Sequence, residues 1–185
     1  MVQSLKENSL IRTVLFKLLN GLEANRKIKG MNRRIYFNAG TNFNFFFSRE
    51  LEIEKEAVNN LTQLIKKDFL IFDIGAHIGY YTIIFSSLCP GGRIIAFEPG
   101  SDNLKYLKKN LQMNGIENMI VIEKALSNEI GESLFFEDIT TGRSSSLKSD
   151  AWHPNATKIK EQKVSSRKSV LQRWMKSQAI MVYLT

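Results

Sequence analysis

The chain of 185 residues contains a single cysteine, Cys89, so it can form no internal disulfide and nothing in its folding calls for an oxidising compartment. It also lacks any run near the ~20 apolar residues that a helix needs to cross a bilayer. A secretory leader is not expected, because Lys6, Glu7, Arg12 and Lys17 interrupt the first apolar residues and no small-residue cleavage site follows. No metal site is expected, and the expected location is cytoplasmic. What remains is a globular composition, with 43% apolar and 24% charged residues, of a size suited to one ordinary core.

The net charge of +8 is unevenly placed. Residues 1–49 carry nine basic and two acidic side chains, residues 50–138 eight and fourteen, and residues 139–185 nine and two, giving +7, −6 and +7. The basic excess therefore flanks the stretch with the strongest folding signal. A nucleic-acid reader usually carries its basic patch on the folded surface, so this distribution does not favour nucleic acid as a partner. Basic flanks also suit anionic lipid, and peripheral membrane contact is open to the basic N-terminal helix. Plain solvated surface is the simplest reading.

That helix is expected where Ile11, Val14, Leu15, Leu18, Leu19 and Leu22 share one face, with Asn20-Gly21 as its stop. Its apolar stripe is read first as cover for an edge of the core. Residues 32–48 set Phe43, Phe45, Phe46 and Phe47 among asparagines and suit a strand or packed loop. A helix is expected over Glu50–Lys67, with Glu50, Glu52, Glu54 and Glu56 complementing the positive end of its dipole.

The pattern then changes period. Phe69–Phe72, Arg93–Phe97 and Met119–Glu123 are short apolar runs of buried-strand type. Between them lie helical segments from Tyr80 to Leu88 and from Asp102, a good N-cap, to about Met113. Ser133–Phe136 is a further strand. Alternating strands and helices at this pace predict a parallel sheet with right-handed crossovers.

The turn Asp73-Ile74-Gly75-Ala76-His77-Ile78-Gly79 joins the first of these strands to a helix. Its glycines let the backbone approach a ligand, and the helix start offers N–H groups and a positive dipole end. Glu98 stands at the end of the next strand, 23 residues after Gly75, where a carboxylate accepts hydrogen bonds from ribose hydroxyls. The spacing is G-x-x-x-G rather than the dinucleotide G-x-G-x-x-G, and an aspartate precedes it. An extra anion is poorly matched to pyrophosphate and suits an adenosine ligand with an ammonium group, such as S-adenosylmethionine.

The segments DIGAHIGYYT, FEPGSDNLKYLKKNLQMNG and EKALSNEIGE, with GRSSSL at 142–147, resemble the FkbM family of S-adenosylmethionine-dependent methyltransferases over roughly residues 50–149. The resemblance implies an α/β, Rossmann-like class I methyltransferase fold, three-layered with a parallel sheet, acting on a small-molecule or glycan hydroxyl. Carried over, Asp73, Gly75, Ala76 and Gly79 match the cofactor loop and Glu98 the ribose carboxylate. His77, where asparagine is commoner, is read as a loop-capping side chain. Ala125 and Leu126 begin the loop where such folds hold adenine. Ser144–Ser146 read as a serine-rich surface loop. No catalytic base is assigned.

The family's next strand carries an I-K-x-D-x-E-G motif that this sequence lacks. Residues 1–49 thus read as an N-terminal helical and aromatic extension, 50–149 as the cofactor-binding half of the domain, and 150–185 as a divergent basic tail. The second half of the sheet is expected to be incomplete, leaving the first strand without a neighbour on one side. Three functions follow: an O-methyltransferase for a sugar or natural product, a truncated noncatalytic remnant that binds the cofactor, and an RNA methyltransferase supported by the basic flanks.

Overall fold

A computed structural model describes residues 9–52, 54–127, 131–138, 145–146, 159–168 and 179–183, and side chains within 13–52 and 54–126. Two compact units divide the chain, one of residues 1–51 with 133–163 and the other of 52–132 with 164–185. This grouping differs from the linear three-part division expected from composition, because the basic tail contributes to both units.

In the first unit, helix α1 (Ser9–Leu19) ends at Gly21, whose φ of 87° requires the left-handed region. Strands β1 (Glu23–Ile28) and β2 (Arg34–Asn38) pair antiparallel, and β3 (Glu50–Leu51) adds in parallel to β1. Between β2 and β3 lies the short helix α2 (Phe43–Phe46). The phenylalanine cluster is mainly core: Phe37 meets Phe45 edge-to-face at 5.5 Å, and Phe43 is buried while Phe47 is exposed. Among the described side chains of α1, Phe16 is buried and Leu15 and Leu19 of the expected apolar stripe are half-buried, whereas Val14 and Leu18 are exposed, as is Leu22 beyond the helix.

The second unit begins with α3 (Lys55–Leu64), five residues later than expected. Glu50 and Leu51 are taken by pairing with β1, and Glu54 at φ 48° breaks the helical path. Of the four glutamates assigned to the first turns, only Glu56 lies there. Strand β4 (Leu70–Ile74), helix α4 (Tyr80–Leu88), strand β5 (Arg93–Phe97), helix α5 (Ser101–Met113) and strand β6 (Met119–Ile122) follow in the expected alternation. The N-cap of α5 is Gly100, with Asp102 inside the first turn rather than capping it. Beyond lie β7 (Ala125–Ser127), β8 (Gly131–Asp138), β9 (Ser145–Ser146) and β10 (Ile159–Lys168). Strand β8 pairs antiparallel with β9, and β10 pairs parallel with β7.

The last strand, β11 (Ala179–Tyr183), corrects one expectation. It pairs in parallel with β4 from Ala179↔Leu70 to Tyr183↔Ile74, giving the sheet order β11-β4-β5-β6. The first strand of the alternation therefore has neighbours on both sides. The I-K-x-D-x-E-G pattern is absent, but backbone pairing needs only an extended apolar segment of matching length. Both faces of the sheet's centre are apolar. Ile71 and Ile94 pack with Phe85, Cys89 and Ile65, while Phe72, Ile74, Ile95 and Phe97 form a separate cluster, with Phe72 and Phe97 stacked at 6.5 Å.

Candidate cofactor site

Parallel pairing sets Asp73 opposite Ala96 and Ile74 opposite Phe97, which brings the carboxyl ends of β4 and β5 to one level. Ligands of open α/β sheets bind outside such ends. The turn after β4 is held to β5 by its backbone. Gly75 and Ala76 both donate N–H bonds to the Phe97 carbonyl, at 2.9 and 3.0 Å, and Gly79 donates to the Ala76 carbonyl at 2.8 Å. His77 sits in the left-handed region at φ 54° and donates its N–H to Glu98 Oε2 at 2.8 Å. It is thus the backbone of His77, in addition to any role of its ring, that caps the loop.

These bonds correct the expected open row of N–H donors. Four of the turn's amides are already engaged, so no phosphate cradle is built there. Gly75, at φ 78°, is the exposed residue of the turn, while Ala76, Ile78 and Gly79 are buried. An adenosine ligand without pyrophosphate fits such a turn better than a dinucleotide does.

Glu98 is almost wholly buried, yet it is the best-connected side chain here. Its Oε1 accepts from Gly100 N at 2.8 Å and Asn103 Nδ2 at 3.3 Å, and its Oε2 from His77 N. A carboxylate offers about four acceptor sites, so three engaged donors among the described residues leave Oε2 room for one more. Burial pushes the Glu98 carboxyl up, and the three hydrogen bonds pull against that.

Asp73 lies within β4, not in the loop, and its side chain is buried. Thr82 Oγ1–H, in the first turn of α4, donates to Asp73 Oδ2 at 2.5 Å. Burial raises the Asp73 carboxyl from 3.8 to about 6, with the Thr82 bond opposing and the charge of Glu98 adding to the rise. A carboxyl protonated more readily in the folded than in the unfolded state stabilises the fold below its unfolded value and loses that contribution as pH rises through the folded one. Stability is therefore expected to fall between about pH 4 and pH 6 by an amount on the order of 2–3 kcal/mol. Urea unfolding across this range checks it: Asp73→Asn should flatten the slope, and an unchanged slope would remove Asp73 as its source.

Two asparagines of α5 complete the frame and escaped sequence reasoning. Asn103 reaches Glu98, and Asn110, fully buried, donates Nδ2–H to the Ile78 carbonyl at 2.7 Å. They lie seven residues apart on the apolar stripe of Leu104, Leu107 and Leu111. An asparagine on the buried side of an amphipathic helix is the signal that could have found them. Ala125 is buried at the start of β7 rather than in a loop, beside Leu126 of the Phe72 cluster. Of the serines, Ser145 and Ser146 form β9, and Ser144 lies outside the described residues.

The profile of the TRM5/TYW2 methyltransferase domain matches residues 41–163. The chain belongs to this family. As a TRM5/TYW2 methyltransferase domain it has the Rossmann-like class I fold, and its cofactor is S-adenosylmethionine. The match overturns the resemblance to FkbM. The segments behind that resemblance lie mostly in the strand–turn–helix alternation from β4 to β6, which class I folds share, so they could not separate one family from another.

Similar solved structures include M. jannaschii TYW2 in complex with AdoMet, at 20% identity over 54% of this chain and 42% of that one, TM-score 0.43. Trm5b from Pyrococcus abyssi is 19% identical over 54% and 27%, TM-score 0.42. An rRNA methylase from Streptococcus thermophilus is 19% identical over 40% and 46%, TM-score 0.36. The TRM5/TYW2 chain spans less than half the length of these solved structures. No curated protein matches it significantly. The expectation that nucleic acid is disfavoured as a partner does not stand, since proteins described as rRNA methylases are among the matches. Among the described residues, no helix is long and apolar enough to cross a membrane.

Proposed function

We propose that the chain transfers a methyl group from S-adenosylmethionine to RNA. The observation behind the cofactor half is the exposed Gly75 turn, its amides engaged, beside a Glu98 carboxylate with one acceptor position to offer. Glu98 would accept from a ribose hydroxyl, Gly75 would allow close backbone approach, and Ala76 and Ala125 would supply apolar contact for adenine. Asp73, ionised at neutral pH, would favour the ligand's ammonium group through the field at the strand ends. The bound cofactor supplies an electrophilic methyl on sulfur. The chain's own task is to hold the acceptor in line with it, which can be worth ~7–11 kcal/mol of barrier.

The acceptor half rests on charge. Residues 1–49 carry a net +7, and a polyanion is the partner such an excess attracts. A hydroxylated small molecule would not require it. The test is transfer of tritiated methyl from the cofactor to total RNA, to protein and to a panel of sugars and phenols. Label in RNA is expected, and label confined to the small hydroxylated acceptors would overturn the reading.

A further inference from the structure

We infer that Glu54, held by the Tyr81 hydroxyl, receives the ammonium group of S-adenosylmethionine, an inference that rests on the cofactor site above and is independent of the acceptor. With Glu98 at the ribose, the adenosine end of the ligand lies at the end of β5. A ligand that leaves Glu98 and passes the exposed Gly75 reaches the start of α4, whose N-cap is Gly79. Its methionine part ends in one ammonium and one carboxylate, and an anion at that place selects the ammonium.

Asp73 cannot be that contact. It is buried and its Oδ2 is taken by Thr82, so it acts on the ligand through its field alone. Glu54, by contrast, is exposed, and Tyr81 Oη–H, in the first turn of α4, donates to its Oε2. The Asp73 charge reaches Tyr81, which sets this pair at the same end of β4 as the cofactor turn. The cation next along the chain, Lys55, is paired with Glu52 at 3.6 Å, and among the described residues no cation pairs with Glu54. One hydroxyl donor leaves most of its roughly four acceptor sites open.

The backbone at Glu54 points the same way. Its φ of 48° and ψ of 51° lie in the left-handed region, which glycine or asparagine occupies at less cost than a long side chain. Two bonds hold it there: its carbonyl accepts Val58 N–H at 3.0 Å to open α3, and its carboxylate accepts from Tyr81. Strain of this kind persists where surrounding contacts impose it, and ligand clamps are among its usual places. The Tyr81 ring is itself fixed, edge-on to Tyr80 at 5.3 Å and tilted against the fully buried Phe85 at 6.0 Å. Burial, and then the Glu54 carboxylate, push the Tyr81 hydroxyl up, so it remains a protonated donor. A carboxylate aimed by a rigid hydroxyl has less freedom to lose when an ammonium arrives. Tyr81 is thus a positioning residue for Glu54.

The test is calorimetry of the parent, Glu54→Gln and Tyr81→Phe with S-adenosylmethionine, S-adenosylhomocysteine and methylthioadenosine, which lacks the amino-acid end. Glu54→Gln is expected to weaken the first two by about tenfold and Tyr81→Phe by about threefold. Both variants should bind methylthioadenosine as the parent does, a split that a merely structural role would not produce. If Glu54→Gln binds all three ligands like the parent, Glu54 does not receive the ammonium, whatever happens to transfer, and the cofactor site stands. Equal losses on all three ligands would also overturn the inference, since the damage would then lie in the turn or the adenosine end. A parent that binds none of them would remove the cofactor site and this inference together.

Discussion

Glu98→Ala is expected to abolish measurable cofactor binding and to destabilise the second unit by about 3–6 kcal/mol, because three donors lose their acceptor at once. The amides of His77 and Gly100 and the side chain of Asn103 all point at this one carboxylate, which is 3% exposed. Alanine leaves them facing a small cavity that offers no hydrogen-bond acceptor. A residue reached only by ligand would cost binding and leave the fold alone; here the same atoms that would meet ribose also fix the turn that would receive it. Glu98→Gln separates the two roles. Its oxygen can keep Gly100 and Asn103, but its amide nitrogen then faces the His77 N–H, donor against donor. Urea unfolding and calorimetry with S-adenosylmethionine check both variants. The expected order is parent, Gln, Ala in stability and in affinity alike. An alanine variant as stable as the parent would reduce Glu98 to an ordinary strand-end residue.

The alternation from Leu70 to Ile122 was legible because its signals are local. Buried-strand runs, glycine turns and a helical stripe each fit within about ten residues, and the end of β4 and Glu98 fall where adjacent parallel strands must end. What escaped depends on distant partners. Residues 179–183 look like any short apolar segment until β4 is there to pair with them. Glu50 reads as helical until β1 claims it. Thr82, Asn103 and Asn110 look like ordinary polar helix residues, and each gains its meaning from an atom 9, 5 or 32 positions away. The family was misread for a related reason. The alternation from β4 to β6 supplied nearly all the quoted motifs, and that alternation is common to the class I fold.

Gly79→Ala is expected to be the most damaging single methyl that can be added to the turn, costing about 2–5 kcal/mol of stability. Two independent terms add. Gly79 is the N-cap of α4 at φ 91°, a conformation that an L-residue adopts only under strain. A Cβ there would also lie 2.7 Å from Leu107 Cδ1. That methyl is the end of a side chain that could swing aside on a surface, but Leu107 is fully buried against Ala76, Ala96, Leu104 and Leu111. Relief must therefore come from movement of α5 away from the turn, and α5 carries Asn103 and Asn110, which hold Glu98 and Ile78. Affinity for S-adenosylmethionine should fall together with stability, by at least tenfold where the variant remains folded. Leu107→Ala in the same chain tests the cause: with Gly79→Ala it should recover part of the steric loss and none of the backbone strain, so the double variant should be less destabilised than the two singles summed. Strict additivity would show that the two groups do not meet and that α5 is not what the glycine makes room for.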